Sequence, residues 1–503
     1  MAVIKKGESG SALLGSQRLG LAVVGFFGCA LLYMLRTDLS FAIVCMVNST
    51  ATDDDGKHSS ACGVATGSNV TKPSEVEGSL QWSKAVQGNA LSSFFWGYLI
   101  SQVPGGYLAG RYGGKMVIFT TLLTSSIFTL ISPIAAETNV IFFYFVRIFL
   151  GLSQGGWFPS FHAMWSAWAP AFERSKLVAI TYAGTQIGNT LVMPISGLLC
   201  RYGFAGGWPS LFYILGILGI LWSTLWFFYA SSTPRTHRFI SEAEKDYIEG
   251  NMETKSSAGK NIRVPWLEIV KSRAVWALYC GHFAGDWGSY MVVISIPLYM
   301  HDILGLELSQ MGFIAALPYL AFFVMINVGG VLADKLQSSH VLSTLNVRRL
   351  AMIVALGGQA GFLVASGYCG CGMEVYLMVF LVIATGLSGI QFSGFVVNYL
   401  DIAPTFSGPL LGIGNMVSCV AGILTPILIG AVTGHGTQSE WQTIFWITAG
   451  VQVTGTLIFC LFAKGEIQSW AIIPDDDQQT KSQSNVKVEE GSIKLERKSE
   501  NAA

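Results

Sequence analysis

Charge is what this chain has least of. Only 12% of its 503 residues are Asp, Glu, Lys or Arg, against roughly 25% in an ordinary soluble domain. The 30 basic and 30 acidic residues cancel, so no basic face for nucleic acid is indicated. There is no GxxxxGK[ST] loop, and the charged loops are too short for a nucleotide-binding domain, which excludes an ATP-driven pump. There is no GxSxG, no HExxH and no carboxylate dyad on a soluble segment, so the chain does not read as an enzyme and no cofactor is expected. The nine cysteines are scattered without zinc spacing, and no metal site is expected. Cys369 and Cys371 share one loop and Cys62 sits in another; unlinked thiols are expected rather than a metal site, and a disulfide between loop cysteines is left open. The first apolar run, 19–47, is too long for a secretory signal and has no small-residue cleavage site behind it, so it reads as a retained membrane span.

What is present is apolar. Half of the residues (51%) are hydrophobic and the mean hydropathy is positive. Crossing roughly 30 Å of hydrocarbon takes about 20 residues. Runs of that kind lie at 19–47, 85–109, 115–136, 139–168, 177–200, 208–230, 273–300, 310–333, 348–368, 374–400, 407–432 and 440–463. They predict an all-α polytopic protein of twelve transmembrane helices. A polar stretch, 231–272, divides them into two bundles of six, 19–230 and 273–463. A tail at 1–18 precedes the first bundle. The Asp-, Gln-, Ser- and Lys-rich tail at 464–503 is expected to be disordered.

The two halves share a phrase. Residues 105–111 read GGYLAGR and residues 329–335 read GGVLADK, each between two apolar runs. Small residues at a helix end, a tight turn and cations allow two spans to meet closely at a charged surface. Gly106, Arg111, Lys115, Asp334 and Lys335 are therefore candidate gating residues. Internal pseudo-symmetry of this kind is typical of secondary transporters, whose site lies between the halves.

Two signals predict the orientation. Lys and Arg cluster in the N-terminal tail, after the second, fourth and eighth spans and in the central loop, which places these segments and both termini in the cytoplasm. The loop between the first two spans carries the sequons Asn48-Ser49-Thr50 and Asn69-Val70-Thr71, which are glycosylated only on the opposite face.

Ionisable residues inside spans are expensive and so are functional candidates by default. Arg36 stands deep in the first span, where a guanidinium facing a central cavity would hold an anion through two parallel hydrogen bonds. The alternative is an arginine paired with an acid to hold the bundle. Asp38 is a poor partner for it, because residues two apart on a helix point about 200° apart. Arg147 and Gln154, seven apart in the fourth span, share a face. His162 follows and can shuttle protons, although a lone helical histidine is more often simply hydrogen-bonded. His282 and Asp286, four apart in the seventh span, suit a cation or a proton, or else mark a solvated helix start. Asn398 and Asp401 read as a cap or gate contact. Tyr33, Trp96, Tyr98 and Tyr290 are candidate cavity-lining groups.

These residues also carry a resemblance. FAIVCMVN (41–48), SSFFWGYLISQVPGGYLA (92–109), FHAMWSAWAPAFERSKL (161–177), STLNVRRL (343–350), NYLDIAP (398–404), EWQTIF (440–445) and FAKGEIQSWA (462–471) resemble the anion transporters of solute carrier family seventeen, in the major facilitator superfamily. The resemblance implies substrate roles for Arg36 and Arg147 and a role for His162. It also shows departures. The sialin-like branch has carboxylates where Gln154 and Leu150 stand, and the phosphate-cotransporter-like branch has Gln at 154. The glutamate branch has an arginine at the place of Gly285 and a histidine at that of Leu91, which makes vesicular glutamate transport the less favoured reading. The expectation is a secondary transporter of small organic or inorganic anions. Coupling is to H+ or Na+ through Asp38 or Asp286, or transport is driven by membrane potential. The rival is a non-transporting receptor or scaffold that keeps the fold. ESGSALL (8–14) approaches an acidic dileucine signal, leaving lysosomal or other vesicular membranes and the plasma membrane open.

Overall fold

The computed structural model describes residues 13, 15–48, 78–170, 173–251, 264–300, 308–370 and 372–472. Twelve long helical spans account for most of them: α1 (Gln17–Met46), α2 (Lys84–Tyr112), α3 (Gly114–Thr138), α4 (Val140–Trp168), α5 (Arg174–Tyr202), α6 (Trp208–Tyr229), α7 (Arg273–Tyr299), α8 (Leu308–Ser338), α9 (Thr344–Gly367), α10 (Glu374–Ile402), α11 (Ser407–Val432) and α12 (Gln438–Phe462). Local chemistry sets their starts. The side chains of Ser16, Ser83, Asn139 and Ser343 accept from the first-turn N–H groups of α1, α2, α4 and α9, and Thr437 with Glu440 forms a capping box on α12. Between α2 and α3 the chain reverses at Gly113, whose φ of 81° is open to glycine at little cost.

The halves repeat each other. In the first, α1 packs on α5 and α6, α2 on α4, and α3 on α4 and α6; in the second, α7 packs on α11 and α12, α8 on α10, and α9 on α10 and α12. Every pairing recurs six spans later. Contacts between the halves follow the same two-fold, α2 with α11 and α5 with α8, and α1 meets α7 on the axis. The repeated phrase explains part of this. A Cβ on Gly105 would lie 2.5 Å from Gly156 of α4, and one on Gly329 would lie 3.2 Å from Ile390 of α10. The second glycine of each pair, Gly106 or Gly330, faces more open space. Lipid tails are as apolar as Leu, so helices in a bilayer are held by such close backbone approach and by interhelical hydrogen bonds.

Among the described residues, nine spans are long and apolar enough by composition to cross a membrane. The other three are α2, α5 and α7. Many of their glycines serve close packing inside their own half: Gly97 and Gly105 of α2 meet α4, Gly184 and Gly188 of α5 meet α1, and Gly285 and Gly288 of α7 meet Gln391, Gln359 and Gln452.

Two segments differ from expectation. The central stretch carries helices at Glu242–Gly250 and Trp266–Lys271. From the first of these, buried Glu244 accepts the backbone N–H groups of Gln17 (3.0 Å) and Arg18 (3.1 Å), and so caps α1 from a distance. Arg18, read from the sequence as part of a charged tail, is fully buried between Glu173 (2.7 Å) and Glu244 (3.3 Å). The tail beyond Lys464 is ordered through residue 472: Gln468 N–H donates to Ile402 O (2.9 Å), and Trp470 lies against Phe406. The dileucine-like stretch, apart from Leu13, and residues 473–503 lie outside the described residues.

Candidate functional site

A cavity of about 90 Å³ lies between the halves, walled by α1, α2, α4, α5 and α7. Arg36 enters it half-buried from α1. Its guanidinium carbon sits 4.4 Å from the ring centre of Tyr98, 5.0 Å from Phe94, 5.4 Å from Phe95 and 5.5 Å from Tyr33. Nη2 donates to Tyr290 Oη of α7 at 3.3 Å. Ring faces partly replace water around a cation without neutralising it. Among the described residues no ion pair involves Arg36.

Arg147 lines the same cavity and is paired. Its Nη1 is 3.1 Å from Asp38 Oδ1, both side chains are buried, and Nη2 donates to the Arg36 carbonyl (3.4 Å). Asp38 thus faces away from Arg36, as the helical offset requires, and cancels the charge of Arg147. The pair is neutral, and Arg36 leaves the α1–α4 wall with one net positive charge.

The remaining polar wall is Thr37, Ser40 and Asn189, with Thr37 Oγ1 donating to Asn189 Oδ1 (3.2 Å). Sequence reasoning missed these three. Asn189, a polar amide well inside α5, was the one detectable signal.

The other candidates within the spans fall in four places. Tyr33 and Tyr290 line the cavity, and Tyr98 flanks it through Arg36. Asp286 stands midway along α7, so the solvated-helix-start reading is wrong; its Oδ2 is 3.3 Å from His282 Nε2 and accepts from Ser418. Gln154 and His162 do not line the cavity. Gln154 is buried with neither amide atom bonded, and His162 packs edge-on to Tyr182. Trp96 is on the outer face, 48% exposed, and is no cavity residue.

At the terminal end, Arg111 donates to Tyr107 Oη (3.4 Å) and Lys115 Nζ lies over Phe227 (5.2 Å). Asp334 and Lys335 are exposed and make no ion pair among the described residues. Asp401 accepts from Arg348 Nε (2.8 Å) and Asn398 Nδ2 donates to Lys464 O (2.8 Å), tying α9, α10 and the end of α12. The opposite end is closed between the halves. A Cβ on Gly88 would lie 2.4 Å from Pro426 O, and one on Gly312 would lie 2.7 Å from Met193 O. Nearby, Cys45 of α1 and Cys200 of α5 form a disulfide, which corrects the expectation of unlinked thiols. Asn48 lies at this end, its N–H donating to Leu80 O (2.9 Å); Asn69, Cys62 and Cys371 lie outside the described residues.

Comparison with known proteins agrees with this fold. The family model described as Major Facilitator Superfamily matches residues 58–426. The chain is 50% identical over 461 residues to the uncharacterized transporter slc-17.2 of Caenorhabditis elegans, covering 91% of this chain and 93% of that one. It is 41% identical to human sialin, covering 91% of each. The chain belongs to solute carrier family seventeen of the major facilitator superfamily. Human vesicular glutamate transporter 2 is 35% identical, covering 90% of this chain and 75% of its own. Among solved structures, a D-xylose-proton symporter superposes with a TM-score of 0.65 at 15% identity, covering 90% of this chain and 99% of that one. At that identity the likeness shows the fold. This member of the family is therefore an integral, multi-pass membrane transporter, and the relatives it matches are transporters too.

Proposed function

We propose that this transporter moves small organic or inorganic anions by alternating access, with the two six-span halves rocking about the cavity at Arg36. One observation carries the reading: a guanidinium held between the halves, ringed by four aromatic side chains, with no carboxylate partner among the described residues. A permanent charge removed from water needs a counter-ion, and an anionic substrate supplies it. A scaffold has no use for that cost. Tyr290 brings α7, and with it the second half, to the same guanidinium.

The orientation follows the charge bias, with both termini cytoplasmic and the Cys45–Cys200 end lumenal or extracellular. In this arrangement the closed end faces away from the cytoplasm. Asn69 is expected to be the glycosylated sequon, because Asn48 abuts α1 and is too close to the bilayer for the transferase. Glycosidase treatment should sharpen the wild-type band and leave Asn69→Gln unchanged; a C-terminal tag readable on intact cells would reverse the topology.

The function is tested with purified protein in proteoliposomes, offering phosphate, N-acetylneuraminate, glutamate and urate under imposed proton, sodium or voltage gradients. At least one anion should accumulate above its equilibrium level. Failure of all four under every gradient would favour the scaffold reading.

A further inference from the structure

The buried groups on α7, α10 and α11 are not used by the anion pocket. We infer that Asp286, His282 and Tyr399 form a proton-binding site in the C-terminal half, linked through α7 to the anion held by Arg36. The inference rests on the proposed anion function and assigns its coupling ion.

The geometry is a ladder. Tyr290, Asp286 and His282 recur every four residues on one face of α7, about 6 Å apart along the axis. Tyr290 holds Arg36. Asp286 Oδ2 is 3.3 Å from His282 Nε2, and His282 Nδ1 is 3.0 Å from Tyr399 Oη. The imidazole stacks on Phe395 with ring centres 4.4 Å apart. Asp286 is 23% exposed at its side chain, while His282 and Tyr399 are buried behind it. A π-helical turn at Phe392–Val396 precedes Tyr399 in α10, an irregularity often found at functional sites. A Cβ on Gly414 of α11 would fall 2.1 Å from Tyr399 Oη and 2.6 Å from His282 Nδ1, so the absence of a side chain there permits the contact.

Hydrogen-bond accounting shows why this cluster suits a proton. A neutral imidazole can accept at Nδ1 from the tyrosine while Nε2 rests at ion-pair distance, 3.3 Å, from the carboxylate. An imidazolium donates from both nitrogens, and the phenol turns to accept. The Ser418 hydroxyl can likewise donate to Asp286 or accept from it. One proton can therefore be added without orphaning a buried group. The Arg147–Asp38 pair has no such freedom, because protonating Asp38 leaves a buried guanidinium unpaired. Sodium is disfavoured at Asp286, since a hard cation takes oxygen ligands and a ring nitrogen occupies this carboxylate.

The other titratable groups facing the cluster are Tyr279 and Tyr290 on α7, Cys419 on α11 and Tyr33 on α1, and Arg36 reaches it through its bond to Tyr290. Of these Arg36 alone is cationic. An anion that neutralises Arg36 removes a positive charge which opposes protonation nearby, so anion and proton strengthen each other's binding, and by linkage the effect is reciprocal. That sign is the sign of symport.

Full-length protein in proteoliposomes tests this with the same four anions. Wild type should accumulate its anion down a proton gradient with sodium absent, and anion addition should move protons inward with it. Asp286→Asn should lower gradient-driven accumulation at least tenfold while labelled anion still exchanges at equal pH, which shows a folded carrier. His282→Gln and Gly414→Ala should both shift the pH profile of uptake, although Gly414→Ala removes no titratable group. With no anion present, a pH jump on supported membranes should give a transient current in wild type that Asp286→Asn lacks. Wild-type accumulation and current in both Asp286→Asn and His282→Gln, or accumulation that follows sodium, would overturn the site. If wild type moves none of the four anions, the anion reading has failed and the transient current alone decides the proton site.

Discussion

Arg36→Ala is expected to reduce anion uptake by about a hundredfold or more while the protein still folds. The reason lies in what the guanidinium touches. It has four ring faces and one tyrosine hydroxyl, and among the described residues it has no acid. Removing it leaves no buried carboxylate without a partner. The desolvation cost of a lone charge disappears, which offsets the lost cation–ring attraction, so the thermal unfolding midpoint should move by only a few degrees. The substrate loses its only uncompensated countercharge in the cavity wall of α1 and α4. Truncating one member of a buried charge pair costs about 2–5 kcal/mol, and about 1.4 kcal/mol is tenfold in affinity. Arg36→Lys should recover little, because an ammonium lacks the planar fork that grips two oxygens. Uptake above a tenth of the parent level in Arg36→Ala, at equal amounts of reconstituted protein, would remove Arg36 from the binding site.

How much of this was legible in the sequence depends on the range of the interaction. Spans are local, so apolar runs located all twelve, and the expected 85–109 became Lys84–Tyr112. Arg36 was legible because a charge in mid-span is costly wherever it points. The separation of Arg36 from Asp38 followed from helical rotation, and so did the His282–Asp286 pair. Partners from distant spans were not legible. Asp38 meets Arg147 across 109 positions, and Cys45 meets Cys200 across 155, through the α1–α5 pairing. Tyr399 reaches His282 after a π-helical turn that breaks the simple helical period. Trp96 failed for a related reason: polarity and ring type do not say which face of α2 meets lipid, and Trp96 turns outward.

The Arg147–Asp38 pair should behave in the opposite way to Arg36. Both side chains are buried, and each is the other's charge partner at 3.1 Å. Asp38→Ala strands a guanidinium that cannot lose its proton, and breaking a buried pair in this way costs about 3–5 kcal/mol. That is a large part of the roughly 5–15 kcal/mol that holds a typical protein folded, so the variant should reach the membrane poorly and unfold at a markedly lower temperature. Arg147→Met strands a carboxyl instead. That group can take up a proton, and it keeps the Leu39 N–H bond at 2.6 Å, so the loss should be smaller. The two losses should not add: Asp38→Ala with Arg147→Met removes both charges and should be more stable than Asp38→Ala alone. The pair also separates structure from coupling. Asp38→Asn, at whatever abundance it reaches, should keep the parent's pH profile per folded molecule, whereas Asp286→Asn should not. Thermal unfolding of the four proteins in detergent, with uptake against pH for the two Asn variants, measures this directly. Equal destabilisation by Asp38→Ala and Arg147→Met, or a pH profile that changes with Asp38→Asn, would move the titrating group from α7 to α1.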